Sequence, residues 1–217
     1  MDVIENFVAY LKSHIGDAYV WGGQGEKIPA DNAGKLRDFV ERRETKSENV
    51  NRVLEFVKHS EKRPLYAFDC SGLIINYLLT NRHIGQDYTA NGIYKTLCHA
   101  KGVNDAAMGD CIFKHSGGKI SHVGVYIGNN MLIEARGRDY GVVCRPYNPQ
   151  EWDYAGSLNC LKTEVVLKIT HPYMRGLGVK YLQMALNSLG YNAGDEDGIY
   201  GPSTQSALKR FIDYGVQ

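Results

Sequence analysis

Apolar residues near the start of the chain recur at helical spacing. The positions are Ile4, Phe7, Val8, Leu11 and Ile15. Residues three and four apart share one face of a helix, and Gly16 is a typical stop signal. The chain is therefore predicted to open with an amphipathic helix. A second helix, whose apolar positions run from Cys70 to Leu78, is predicted to begin at or just after Asp69.

A long charged segment from Glu26 to Arg63 separates these two helices and carries helical patterns of its own. Its apolar positions are Leu36, Phe39 and Val40, followed by Val50, Val53, Leu54 and Val57. Thr45 and Glu48 have the spacing of a capping box, which predicts the start of the later helix. We interpret residues 26–63 as a helical insertion whose charged side chains are largely solvated.

After Asp110 the apolar pattern changes to a period of two, which is typical of strands. Strands are predicted at 110–113, 122–127, 131–135, 142–145 and 165–169, with glycine and asparagine turns between them. Helices followed by a run of sequential strands favour an α+β fold with helices packed on an antiparallel sheet.

The pattern changes again near Thr170, which marks a predicted domain boundary. One apolar helical stripe precedes Gly190, and a second begins at Pro202, a residue common in the first turn of helices. Residues 1–169 are therefore predicted to form one domain. Residues 170–217 are predicted to form a small all-α module.

Composition excludes several classes of function. Lys and Arg number 25 and Asp and Glu 24, so the net charge of +1 gives no field that would attract nucleic acid. No apolar run reaches the roughly 20 residues needed to cross a bilayer, so we expect no membrane insertion. The five cysteines are scattered without a Cys-x-x-Cys pair, which disfavours a structural zinc site and a disulfide framework. We expect no metal or other cofactor, and we interpret every cysteine except Cys70 as a small core residue.

Cys70 is the candidate nucleophile. The sequence Asp69-Cys70-Ser71-Gly72 places it at a predicted helix N-terminus, where unpaired N–H groups and the helix dipole favour a thiolate. The same N–H groups can stabilise the negative oxygen that forms when a thiolate attacks a carbonyl. A buried first-turn cysteine without chemistry is the alternative.

His122 and Glu134 are the candidate partners of Cys70. His122 lies on a predicted strand beside Gly124, where an imidazole could approach a helix terminus and act as the general base. His115, in a glycine-flanked loop, is the closest rival. Glu134 lies on the next predicted strand and projects from the face opposite to that of its three apolar neighbours. From there its carboxylate could orient the imidazole. A solvent-facing glutamate on an edge strand is the other interpretation of this position.

Four segments of the chain, in order, resemble the NlpC family of papain-like cell-wall peptidases. They are Tyr19-Val20-Trp21-Gly22-Gly23, Phe68-Asp69-Cys70-Ser71-Gly72, Gly109-Asp110-Cys111-Ile112-Phe113 and His122-Val123-Gly124-Val125-Tyr126. The resemblance implies a papain-like fold with Cys70 as nucleophile and His122 as base. It also implies that Tyr19, Asp69 and Ser71 line the substrate cleft.

The sequence departs from this family at two places. Glu134 stands where the family places its third polar residue, which is most often histidine. Members of this family usually pass from the double glycine to the cysteine motif in a few residues, whereas here residues 26–63 intervene and could cap the cleft or restrict the stem peptide that enters.

The C-terminal residues, with Asp197-Gly198-Ile199-Tyr200-Gly201 and Thr204, resemble the small peptidoglycan-binding domain found beside many wall hydrolases. Together the resemblances imply that peptidoglycan is the partner and that an amide bond of its peptide stem is cleaved, with the bond after D-γ-glutamate as the family's usual target. The alternatives are an N-acetylmuramoyl-L-alanine amidase with the same chemistry and an inactive wall-binding protein.

The first residues, Met1 to Glu5, are acidic and show no classical export signal. We therefore expect synthesis in the cytoplasm and action on the wall after release, as in a bacteriophage endolysin. A toxin or effector delivered by other machinery is the alternative.

Overall fold

The computed structural model describes residues 2–161 and 167–214. The chain forms two compact units, residues 1–162 and 163–217. Among the described residues, none of the helices has the length and apolar character needed to cross a membrane.

Helices of the first unit form where the apolar periodicity predicts them. Helix α1 spans Val3–Ser13, and the Asp2 and Glu5 side chains cap its first turn reciprocally. Its buried face consists of Phe7, Val8 and Leu11, whereas Ile15 lies beyond the helix and is exposed. The helix that follows Cys70, here α4, spans Gly72–Thr80 and is buried over most of its surface.

Two sheets make up the remainder of this unit. The smaller sheet contains β1 (Ala18–Tyr19), β2 (Gln24–Lys27) and β3 (Tyr66–Phe68), with β3 in the centre. The larger sheet contains β4 (Cys98–Lys101), β5 (Cys111–Ser116), β6 (Lys119–Gly128), β7 (Met131–Gly137), β8 (Gly141–Pro146) and β9 (Tyr154–Leu158). Its order is β4-β9-β5-β6-β7-β8 and all of its pairs are antiparallel, so the predicted α+β class with an antiparallel sheet is confirmed.

The main core lies between the larger sheet and helices α1 and α4. Phe7, Leu73 and Leu78 of the helices pack there against inward residues of the strands such as Val123 and Ile133. A short helix, α5 (Ala90–Gly92), continues as a π-helical turn over Ile93–Leu97 and leads into β4. The opposite face of the sheet carries a smaller cluster that includes Ile112, Leu132, Tyr147, Trp152 and Ala155.

The 26–63 segment contains α2 (Ala33–Glu41) and α3 (Ser47–His59). Val40, Val53 and Val57 bury their side chains with Ala18 and Ala67 of the smaller sheet, so the segment has a core of its own. The predicted capping box is wrong. Helix α3 begins one residue later than the pattern requires, with Lys46 as N-cap and without a side-chain cap.

Strand prediction fails in three regions. The three short strands of the smaller sheet are not predicted. Strands β4 and β9 are not predicted either, although β9 lies between β4 and β5 in the larger sheet. The predicted strand at 165–169 falls partly outside the described residues, and positions 167–169 form no strand.

The second unit contains two helices, α6 (Leu177–Ser188) and α7 (Pro202–Tyr214). The side chain of Gln183 in α6 is buried and donates hydrogen bonds to Asp197 Oδ1, the Ile199 carbonyl and Thr204 Oγ1. Its Oε1 accepts from Gly198 N–H at 2.8 Å. The Asp197-to-Thr204 turn is therefore built around one buried amide.

Candidate active site

The loop after β1 lies directly against the start of α4. A Cβ added at Gly72 would stand 2.0 Å from the carbonyl oxygen of Gly23, and one at Gly23 would stand 2.8 Å from the backbone of Ala67. Such distances leave no room for a side chain, so both positions require glycine. Because Gly72 packs so closely against Gly23, the position of Cys70, two residues before Gly72, is fixed relative to the loop.

The carboxylate of Asp69 caps the first turn of this helix. Its Oδ1 accepts from the Gly72 N–H at 2.6 Å and from the Ser71 hydroxyl at 3.0 Å. Its Oδ2 accepts from the Gly22 N–H at 3.0 Å. Cys70 lies in the turn directly before the helix, with Ser71 as N-cap, so α4 begins later than the start at or just after Asp69 that the sequence predicts. Within the described part of the chain, the N–H groups of Cys70 and Ser71 have no acceptor.

The imidazole of His122, on β6, lies between two acidic partners. Nε2–H donates to Glu134 Oε2 at 2.5 Å, and Cys70 lies close enough to the same ring to raise its pKa. Because Nε2 is engaged by Glu134, Nδ1 is the nitrogen available to the sulfur. Burial lowers the pKa of His122, but the interactions with Cys70 and Glu134 outweigh it and raise the pKa to about 9.

Glu134, on β7, is 2% exposed, so the interpretation as a solvent-facing side chain is wrong. Its Oε1 accepts from Arg145 Nε at 2.6 Å. Burial raises the pKa of this carboxyl, but the hydrogen bonds and charges of His122 and Arg145 act more strongly and lower it. The carboxylate is thus held ionised between a guanidinium and an imidazole.

Sequence reasoning missed two residues of this cluster, Arg145 and Trp152. Arg145 lies opposite Leu132 in the register of β7 and β8, which places it on the same face as Glu134. The ring of Trp152 stacks on His122 with centroids 5.9 Å apart. A Cβ at Gly124 would stand 3.2 Å from this indole, so the glycine makes room for the stack. Alternation along β8 could have indicated the face of Arg145, but only the register shows that it meets Glu134.

The structure brings Cys70, His122 and Glu134 together, and it places the remaining candidates around them. Tyr19, in β1, is 7% exposed, and the charge of Cys70 acts on its phenol. The side chains of Asp69 and Ser71 bond to each other, and their role in substrate binding stays a prediction. His115 is exposed at the end of β5 and is not part of the cluster.

The other cysteines are not equivalent. Cys111 is buried and Cys98 and Cys160 are half-buried, whereas Cys144 is exposed, so the core interpretation is wrong for Cys144. Among residues 2–161 and 167–214, no group of three His, Cys, Asp or Glu side chains is arranged to hold a metal ion.

A cavity of about 960 Å³ lies between α3 and β8 and is lined by Arg52, Phe56, Tyr140 and Val142 among others. None of Cys70, His122 and Glu134 borders it. The reactive groups alone therefore define the candidate site.

Comparison with known proteins matches both units. Residues 16–157 match the model of the "NlpC/P60 family" and residues 175–211 that of the "Putative peptidoglycan binding domain". The "Probable endopeptidase p60" of Listeria innocua is 27% identical over 135 residues, which is 62% of this chain and 20% of that protein. The protein of the same name from Listeria monocytogenes is also 27% identical over 135 residues, which is 62% of this chain and 19% of that protein. The matched region thus spans about a fifth of the length of these curated relatives.

Solved structures show weaker likeness. The NlpC/p60 domain of the peptidoglycan hydrolase SagA is 22% identical, with a TM-score of 0.45, covering 71% of this chain and 98% of that one. RipD from Mycobacterium tuberculosis is described as a non-catalytic NlpC/p60 domain protein. It is 18% identical, with a TM-score of 0.47, and the match covers 72% of this chain and 97% of RipD. The match to the family model extends over residues 16–157, which is well more than half of the sequence. The chain belongs to the NlpC/P60 family.

Proposed function

We propose that this protein is a peptidoglycan hydrolase that cleaves an amide bond in the peptide stem through Cys70, His122 and Glu134. The observation that carries the proposal is the convergence of these three side chains next to the start of α4, with His122 bonded to Glu134 and Cys70 close enough to raise the pKa of the imidazole. Membership of the family and the match of residues 175–211 to a peptidoglycan-binding domain support the substrate.

In the first step the Cys70 thiol gives its proton to His122, and the thiolate sulfur attacks the carbonyl carbon of the scissile amide. A C–S bond forms and the C=O electron pair moves onto the oxygen. The Cys70 and Ser71 N–H groups, which have no acceptor among the described residues, are the donors available to that oxygen. The C–N bond then breaks as the His122 imidazolium gives its proton to the leaving amine.

The second step releases the acyl group. Neutral His122 takes a proton from water, the oxygen attacks the thioester carbon, and the C–S bond breaks to leave the Cys70 thiolate beside an imidazolium. Glu134 stays ionised throughout because Arg145 pairs with it. Its role is to orient the ring and stabilise its charged form.

We propose the bond after D-γ-glutamate as the target and wall binding as the role of residues 163–217. A wall-bound module raises the effective concentration of substrate without changing the chemistry. Release from a host cytoplasm, as by a phage endolysin, is the biological setting that we propose.

The test is mass spectrometry of fragments released from purified walls by the wild type, Cys70→Ala and His122→Ala. We expect new ends at D-glutamate from the wild type and none from either variant. Stems with a free L-alanine amine would instead indicate an amidase. Equal and negligible release by all three proteins, with all three pelleting with the walls, would show a binding protein.

A further inference from the structure

The 26–63 segment places one buried carboxylate against the loop that follows β1. Glu44, which follows α2, is 4% exposed. Its Oε1 accepts from the Trp21 N–H at 3.0 Å and from Arg138 Nε at 2.9 Å, and its Oε2 accepts from Arg138 Nη2 at 2.7 Å. This side chain therefore joins the segment to the loop before Gly22 and to the β7–β8 turn.

Arg138 carries this link to the cleft. Its guanidinium carbon lies 5.3 Å from the centroid of the Tyr19 ring. Burial raises the pKa of Tyr19, and the negative charges of Cys70 and Asp69 raise it further, so its phenol lies within electrostatic range of the nucleophile. The buried Tyr19 ring thus contacts Arg138 and lies within electrostatic range of Cys70 and Asp69.

A second ion pair joins the same segment to the same turn but lies in solvent. Arg52 of α3 pairs with Asp139, with Nε donating to Oδ1 at 2.7 Å, and both side chains are more than a third exposed. Such a pair contributes little stability and reaches nothing in the cleft. Removing the charged groups of Glu44 and Arg138 from water costs free energy of desolvation, which apolar side chains at these positions would not cost. A buried ion pair can instead serve to fix the orientation of the groups around it.

We propose that Glu44 and Arg138 are positioning residues, which fix the Tyr19 phenol and the Trp21 backbone beside Cys70 for binding of the stem peptide. This inference rests on the proposed function. It also gives the 26–63 segment a role in recognition, because one of its residues helps to shape the site that receives the substrate, although the segment carries none of the reacting groups.

The experiment is a double-mutant cycle for binding, made in a Cys70→Ala background so that the peptide is not consumed. The probes are L-Ala-D-γ-Glu-meso-diaminopimelate-D-Ala and its L-Lys counterpart, with affinity measured by calorimetry. We expect Glu44→Gln and Tyr19→Phe each to weaken binding about tenfold, since each disturbs a hydrogen bond or a charge at the cleft. The double variant should lose less affinity than the sum of the two single losses, because part of the effect of Glu44 acts through the position of the Tyr19 phenol and the rest through the Trp21 backbone.

Arg52→Gln is the matched control and should change affinity less than about twofold. Arg138→Lys is a second variant that keeps the charge but cannot pair with both carboxylate oxygens, and it should follow Glu44→Gln. Circular dichroism and the melting temperature identify any variant that fails to fold. In the protein that keeps Cys70, Glu44→Gln, Tyr19→Phe and Arg138→Lys should each raise KM and leave kcat within about threefold of the wild type.

Additive losses for Glu44→Gln and Tyr19→Phe would overturn the inference, as would equal losses for Glu44→Gln and Arg52→Gln. The proposed function fails separately. Binding by the Cys70→Ala parent without hydrolysis by the wild type would remove the hydrolytic role and leave the cycle valid. Absence of any binding would overturn both.

Discussion

The charge of the His122 imidazole depends on two neighbours, so pH can test the site directly. The folded pKa of about 9 lies above the ordinary value near 6.5 for an unfolded histidine. A raised folded pKa stabilises the fold fully below the unfolded value, and this contribution is lost as pH rises through the folded pKa. The window is therefore from about pH 6.5 to about pH 9.

We predict that the difference in free energy of unfolding between the wild type and His122→Gln shrinks by about 3 kcal/mol from pH 6 to pH 10. Urea denaturation at both pH values measures it, and the variant supplies the control for all other titrating groups. A difference that stays constant or grows would show that Cys70 and Glu134 do not stabilise the protonated imidazole.

Arg145 provides a second test at the same scale. Arg145→Met would leave the buried Glu134 carboxylate with His122 as its only charged partner among the described residues, which should cost about 3 kcal/mol of unfolding free energy. Arg37→Met removes an exposed ion pair with Glu41 and should cost less than about 1 kcal/mol. Urea denaturation at pH 7 compares the two, and equal losses would contradict the described role of Arg145.

Local pattern was enough to single out the residues that the structure brings together. Cys70 follows a capping aspartate, and His122 and Glu134 fall on strands whose alternation is clear. Arg145 and Trp152 could not be placed in the same way. Their contacts depend on the register of β7 with β8 and on a stack across Gly124, which are long-range properties.

Helix α4 and the loop that packs against its first turn form a rigid element, and Gly72 is where they touch. Gly72→Ala would place a Cβ 2.0 Å from the Gly23 oxygen, so the backbone must shift. We expect a loss of about 3 kcal/mol in stability, together with slower alkylation of Cys70 by iodoacetamide. Gly34→Ala in α2 is the control, since its Cβ would meet only Asn32 Oδ1 at 3.6 Å. It should be neutral or stabilise by up to about 1 kcal/mol, and equal effects of the two substitutions would contradict the tight contact.

Periodicity predicts the longer helices and strands of the first unit and misses its short strands. Helices α1 and α4 and strands β5 to β8 agree with the pattern. Strand β9 was missed because Tyr154–Leu158 contains Gly156 and Ser157 and does not alternate clearly. The capping box at Thr45 failed because the turn after α2 delays the start of α3 by one residue.

At the scale of the whole molecule, each unit has its own buried core. Phe7 and Leu73 belong to the core of the first unit, whereas Leu186, Ala193 and Ala207 form that of the second. The change of pattern near Thr170 could be read from sequence because a strand-rich region gives way to two helical stripes. The separate cores indicate that chemistry and wall attachment can be tested independently.

We therefore predict that a chain ending at residue 162 keeps its activity on soluble stem peptides, within about twofold, but clears intact walls at least tenfold more slowly. The physical reason is that attachment raises the local concentration of substrate on a solid wall and does nothing for a peptide that diffuses freely. Turbidity loss of purified walls and chromatographic release from the soluble peptide measure the two activities. Cosedimentation with walls should fall in parallel with clearance, and Cys70→Ala in the full chain is the control that keeps attachment while losing chemistry. Equal loss of both activities on truncation would mean that residues 163–217 support the catalytic unit and not its attachment to the wall.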